Sequence, residues 1–266
     1  MKFILYTDKG NRKNNEDSIL LISKESRWKI SNDDSAKVTG DISIPCGAII
    51  SDGMGGYEAG EVASSITCEE FSNSFFDFFN EQDIPASDKT YTSRCKEILQ
   101  KTFNRINFRI NSLSTLDSKY KDTGATIAGV CLLNDGNIIA FHAGDSRVYL
   151  LKGEYLQLLT LDHNLRSILL KNGEDIPEGK GKELINCVGG GLDSNYLEIK
   201  ILKNNMIKNG DSIFICSDGV YDCVDIDFLE STLQIENPEN LVDKIKEEIS
   251  KNGAFDNNSF IVLKID

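Results

Sequence analysis

Short apolar runs and period-two alternation dominate the chain. They predict strands over Lys2–Tyr6, Ser18–Ser23, Gly47–Ser51, Ala125–Leu133, Asn137–Ala143, Arg147–Leu151, Glu154–Leu159, Leu197–Leu202, Asp211–Ser217 and Ser259–Ile265. Asn134-Asp135-Gly136 and Lys152-Gly153 have hairpin-turn composition, each joining two of these strands, and Asn209-Gly210 precedes another. Three-to-five spacing marks helices in two blocks. The first runs through Val62, Ile66, Phe71, Phe75, Phe78 and Phe79, then through Cys95, Leu99, Phe103, Ile106 and Ile110. The second runs from Pro238 to about Asn252, with Leu241, Ile245 and Ile249 four residues apart, Pro238 suited to a first turn and Gly253 to a stop. Strands and helices do not alternate one for one, which disfavours a doubly wound parallel sheet. The expected fold is α+β, two mainly antiparallel sheets stacked as a sandwich with helices outside. No repeat or linker divides residues 1–266, so one domain is expected. Segment 165–195 carries glycines without periodicity and reads as a flap.

Charge narrows the function. With 42 Asp+Glu against 29 Lys+Arg, the net charge of −13 leaves no basic surface for nucleic acid or for an anionic membrane. No run reaches the ~18 apolar residues of a membrane span. Seven cysteines, odd in number and without a CxxC pair, sit mostly in apolar runs and fit a reducing, cytoplasmic compartment. The two histidines, His142 and His163, are too few for a three-His or HExxH zinc site, so a metal here would be held by carboxylates.

Those carboxylates recur at strand ends. Ser51-Asp52-Gly53 and Ser217-Asp218-Gly219 each close an apolar strand, Gly144-Asp145-Ser146 lies between two strands, and Glu16-Asp17 and Asp256-Asn257 each open one. Asp-Gly alone is an ordinary turn signal. In antiparallel sheets, however, the end of one strand lies beside the start of its neighbour, so these acids can converge on one edge. Clustered carboxylates repel unless a cation intervenes, and oxygen donors suit Mg²⁺ or Mn²⁺.

Arg12 with Asn15-Glu16-Asp17, then Asp52-Gly53-Met54-Gly55-Gly56, Thr123-Gly124-Ala125-Thr126, Gly144-Asp145-Ser146-Arg147, Leu159-Thr160-Leu161-Asp162-His163, Ser217-Asp218-Gly219 and Asp256-Asn257 follow one another along nearly the whole chain. This series resembles the metal-dependent serine/threonine protein phosphatases of the PPM (type-2C) family, in a bacterial-like form. The resemblance implies an αββα sandwich and two Mg²⁺ or Mn²⁺ ions, with a third more weakly held in some relatives. By the same resemblance, Asp52 would bridge the two ions with the Gly53 carbonyl on the second. Asp218 and Asp256 would complete the first, Glu16 and Asp17 would act on the second through its waters, and Asp145 would join Asp218 at the third. Arg12 would bind phosphate, and a water bridging the ions would attack phosphorus directly. The implied partners are phosphoproteins made by a serine/threonine kinase, and a monomer is expected.

Two departures stand out. Met54 occupies the position of the family's proposed general-acid histidine, and Tyr57 stands where the Asp-Gly-Met-Gly-Gly form commonly has histidine. Leaving-group protonation would then fall to a metal-bound water or, less well, to His163. Residues Glu183–Gly189 resemble the family's flap only loosely. The competing readings are an inert scaffold with the same fold and a metal-dependent nuclease; the charge disfavours the latter.

Overall fold

The computed structural model describes residues 1–55, 59–81, 89–177, 180–191 and 195–265. Its strands are β1 (Lys2–Asp8), β2 (Asp17–Ser23), β3 (Arg27–Ser31), β4 (Ser35–Asp41), β5 (Cys46–Met54), β6 (Gly124–Ala125), β7 (Ile127–Leu132), β8 (Ile138–Ala143), β9 (Arg147–Lys152), β10 (Tyr155–Leu158), β11 (Val188–Gly189), β12 (Glu198–Leu202), β13 (Ser212–Cys216) and β14 (Asn258–Lys264). Its α-helices are α1 (Ala59–Asn80), α2 (Lys89–Leu116), α3 (Leu165–Asn172), α4 (Asp218–Tyr221), α5 (Ile226–Leu233) and α6 (Pro238–Lys251).

One sheet runs β10-β9-β13-β14-β1-β4; the other runs β11-β6-β5-β7-β8-β12, with β2 joining β5 to β3. Pairings in both sheets are antiparallel, as in β1 with β14 and β2 with β5. Period-two alternation sorts side chains into three cores. Leu20, Ile22 and Ile49 point to α1 and α2, meeting Phe71, Phe75 and Phe103. Ile19, Leu21 and Ile50 point the other way, against Phe3, Leu5 and Ile261 of the facing sheet. Ile4, Tyr6 and Phe214 cover the far face, under Leu229, Leu241 and Ile245 of α5 and α6. The result is the helix–sheet–sheet–helix order expected, with strands buried on both faces. Each large apolar side chain so buried contributes about 1.5–3 kcal/mol.

The structure departs from the predicted elements where packing signals are weak. β3 and β4 are edge strands with one or no fully buried residue each, and their alternation is carried by Trp28, Ile30, Ala36 and Val38. The predicted strand Ala125–Leu133 is broken at Thr126, whose N–H turns to the Asp52 carbonyl at 2.8 Å. The flap is not structureless. It holds α3, capped by the Asn164 side chain on Ser167 N–H and ended by Gly173 at φ +72°. α5 was also absent from the sequence reading, being only eight residues long.

Candidate active site

Strand register builds the site. In the β2–β5 pair, Asp17 lies directly opposite Asp52, so the first residue of one strand faces the last turn of its neighbour. β13 ends at Cys216, where α4 begins two residues later with Asp218, beside the start of β14 that follows Asp256 and Asn257. These strand ends open onto one 420 Å³ cleft, which Arg12, Glu16, Asp52, Asp145, Asp218 and Asp256 line together. The Gly53 backbone also borders it, while Asp17 lies just beneath, 2% exposed. All the acids singled out in the sequence therefore meet at one edge of the sandwich. A larger hollow of 560 Å³ between α1 and α2 contains none of them.

Close backbone approaches explain two of the glycines. A Cβ on Gly53 would lie 2.2 Å from the Gly60 carbonyl oxygen at the start of α1, and one on Gly219 would lie 2.0 Å from the Asn257 carbonyl oxygen. The aspartates before them can turn into the cleft because the following residue carries no side chain.

A buried polar frame fixes the acids. Ser217 Oγ donates to Asp17 at 2.9 Å and accepts from Ser259 N–H at 3.0 Å. Thr126 Oγ1 accepts from Asp52 N–H at 3.0 Å and pairs with Ser146 Oγ at 2.7 Å. Asn257 accepts from Glu16 N–H at 2.8 Å and donates to the carbonyls of Lys9 and Asn14, fastening the loop that carries Arg12. Arg12 Nη2 donates to Asp256 Oδ2 at 2.7 Å. Asn164 donates to Asp145 at 3.3 Å. Thr126, Ser217 and Asn257 were not among the predicted site residues; their signal lay in the motif positions flanking the acids.

The electrostatics are those of carboxylates crowded out of water. Burial, then repulsion from Asp17, Asp218, Asp145 and Asp256, holds Asp52 well above the usual carboxylate range. Burial pushes Asp17 up to about 7 despite its serine hydrogen bonds, and burial with the neighbouring Asp218 pushes Asp145 up to about 7. Burial likewise raises Asp218 and Glu16. Buried oxygens Asp17 Oδ1 and Asp218 Oδ1 lack hydrogen-bond partners among the described residues. Unpartnered buried oxygens and mutually repelling carboxylates, with no histidine or cysteine among the described lining residues, fit a hard divalent cation.

The histidines stand behind this cleft. His142 and His163 stack with ring centroids 4.4 Å apart and planes 18° apart. With Glu198 they bring three ligand-type atoms within 4.8 Å of one another, a juxtaposition the sequence did not reveal. It is a poor metal site: an ion bound by an imidazole lies in its ring plane, and near-parallel stacked rings share no such position. Their nitrogens are also engaged. His142 Nε2 bonds the Leu161 carbonyl at 2.7 Å, while His163 Nδ1 meets Asn186 at 2.9 Å and its Nε2 meets Glu198 at 3.2 Å. Burial lowers both imidazoles below their usual range, so both are neutral braces near pH 7. Gly56 and Tyr57 lie outside the described residues. The cysteines are buried, and burial pushes the Cys46, Cys68 and Cys187 thiols up to about 12, which leaves them poor nucleophiles.

Carboxylates converging from the ends of two stacked sheets, with an arginine at their rim, define a metal-dependent phosphoester hydrolase. Comparison with known proteins narrows this. The family described as Protein phosphatase 2C matches residues 24–250. The serine/threonine phosphatase stp of Listeria monocytogenes is 28% identical over 197 residues, 70% of this chain and 71% of that protein. The serine/threonine phosphatase of S. agalactiae superposes over the full length of both chains with a TM-score of 0.79 at 24% identity. The catalytic domain of PstP in complex with two manganese ions does so with a TM-score of 0.71 at 23% identity, again covering both chains fully. The chain belongs to the protein phosphatase 2C family and is a metal-dependent protein phosphatase.

Proposed function

We propose that this chain hydrolyses phosphoserine and phosphothreonine esters of proteins at the acid-lined cleft. The observation carrying this reading is the convergence of Asp17, Asp52, Asp218 and Asp256 around unpartnered buried oxygens. Asp52 would serve both of two Mg²⁺ or Mn²⁺ ions, with the Gly53 carbonyl on the second. Asp218 and Asp256 would complete one, Glu16 and Asp17 would serve the other, and Asp145 with Asp218 would be available to a third. Such ions, when bound, lower the pKa of water and offset charge on the phosphoryl oxygens.

The protein's own groups do the rest. Thr126 grips the Asp52 backbone on both sides, which fixes the main chain from which the carboxylate enters the cleft. Asn257 keeps Glu16 and the Arg12 loop at a fixed distance from Asp256. Arg12, with its side chain 56% exposed, is free to exchange Asp256 for the phosphoryl oxygens of substrate, which its planar fork fits. No side-chain nucleophile is needed. With both histidines braced elsewhere, the leaving oxygen takes its proton from solvent.

The domain assignment is one phosphatase domain over residues 1–266, with 165–195 as its flap. Buried thiols support a reducing cytoplasmic setting, where the partners would be phosphoproteins made by a serine/threonine kinase and the working form a monomer. The test is release of phosphate from a phosphothreonine peptide with added Mn²⁺ and its suppression by a chelator. Metal binding without turnover would instead support the inert scaffold.

A further inference from the structure

The cleft has two cations among its described lining residues, Arg12 and Lys182, and the second comes from the flap. Lys182 was not singled out in the sequence, where the segment around it resembles the family only loosely. Its backbone is nevertheless well held. Arg166 N–H bonds the Gly181 carbonyl at 2.9 Å, Leu165 N–H bonds that of Glu183 at 2.9 Å, and Ile185 N–H bonds that of His163 at 2.9 Å. Leu184 forms a bridge to Asn164, the residue that also reaches Asp145. Gly181 itself, at φ +113°, lets the chain turn against Arg166.

From this fixed point the Lys182 ammonium extends to α4. It pairs with Asp222 and lies 3.6 Å from Asp218 Oδ2. Asp222 sits one helical turn beyond Asp218, its N–H bonded to the Asp218 carbonyl at 2.9 Å, so one ammonium addresses both acids. The arrangement mirrors that of Arg12 on Asp256: each cation of the cleft rests on a carboxylate assigned above to ion binding. A pair with a lysine side chain 74% exposed adds little to stability, so folding does not explain the contact.

We propose that Lys182 is a phosphate-contacting residue supplied by the flap. With ions held by Asp218 and Asp256, Arg12 and Lys182 would be free of those acids, Arg12 on one rim and Lys182 on the other. Asp222 retains the ammonium over the cleft. The ligand is the dianionic phosphate monoester of a protein substrate, or the free phosphate released from it. Lysine suits this as a compact charge that follows the anion, whereas Arg12 fixes its orientation. The inference rests on the two-ion reading of the site.

The experiment uses the full chain loaded with Mn²⁺ and inorganic phosphate as the probe, with Kd measured by calorimetry. Lys182→Ala should weaken phosphate binding about 5- to 20-fold and raise the phosphopeptide KM by a similar factor, while kcat changes less than about 2-fold, as for a charge-assisted contact made in the ground state. Lys182→Arg should restore Kd to within about 2-fold. An unchanged phosphate Kd in Lys182→Ala, or a change in the number of Mn²⁺ ions bound instead of in Kd, would overturn the proposal. Loss of Mn²⁺-dependent turnover in the unaltered chain would strike the phosphatase reading itself, which separates the two failures.

Discussion

The two walls of the cleft are built on different principles. The sheet wall places Asp17, Asp52 and Asp218 through strand register and a frame of buried Ser, Thr and Asn hydrogen bonds. The flap wall hangs on backbone hydrogen bonds at 163–166 and 181–185, and turns apolar side chains outward: Leu170 is 60% exposed and Ile185 41%. The first wall is held by buried side-chain hydrogen bonds around several like charges; the second is held by its backbone, with more of its side chains in solvent. On the proposed function, chemistry would belong to the sheet edge and substrate contact to the flap, so substitutions in the two should separate cleanly.

The largest effect is expected in the sheet wall. Asp52→Asn and Asp218→Asn should each lower Mn²⁺-dependent kcat by about 10³-fold or more, the scale of losing an electrostatic contribution to the transition state, with circular dichroism unchanged. Near wild-type turnover in either would break the comparison. At the rim, Arg12→Ala should raise KM for a phosphopeptide about 10-fold with a smaller change in kcat. Below the acids, Gly219→Ala forces a Cβ to within 2.0 Å of the Asn257 carbonyl oxygen and should cost about 1–3 kcal/mol, visible as a lower Tm.

A pH experiment sharpens the same contrast. In chelator-treated protein, Asp17 and Asp145 titrate near 7 when folded but near 3.8 when unfolded, so the folded state holds more protons between those values. The stability they contribute is fully present below pH ~4 and is lost as pH rises through ~7. The Tm should therefore fall from pH 5 to pH 8, Asp145→Asn should flatten that slope, and added Mn²⁺ should raise the Tm more at pH 8. The smallest effect belongs to the flap: Leu170→Ser should change stability by no more than about 0.5 kcal/mol and leave p-nitrophenyl phosphate turnover unchanged.

The same division explains what could be read from sequence. Strands of the double-faced cores announce themselves, since Ile19–Ile22 and Ile213–Ile215 are apolar at every position. Edge strand β4 alternates exposed and half-buried residues with no apolar side chain larger than Val38, and leaves no comparable trace. Among site residues, the acids were legible because Ser-Asp-Gly recurs after apolar runs. Lys182 was not, because a lysine among glycines has no pattern; only the fold of the flap brings it to Asp218. The His142–His163 stack was equally hidden, being a contact between residues 21 apart in sequence that belong to a strand and a loop.

The pairing of β1 with β14 has a consequence for the life of the protein in the cell. β14 lies between β13 and β1, and Arg12 meets Asp256 across 244 residues of chain. A nascent polypeptide that has emerged as far as Leu241 holds Asp17, Asp52 and Asp218, yet its six-stranded sheet is split down the middle and the ion-binding set is short of a member. β14 must join the sheet before Asp256 can meet the other acids of the cleft. Such non-local assembly is slow to nucleate, and a fragment that stops short of Asp256 lacks both that acid and the strand joining the two halves of the sheet.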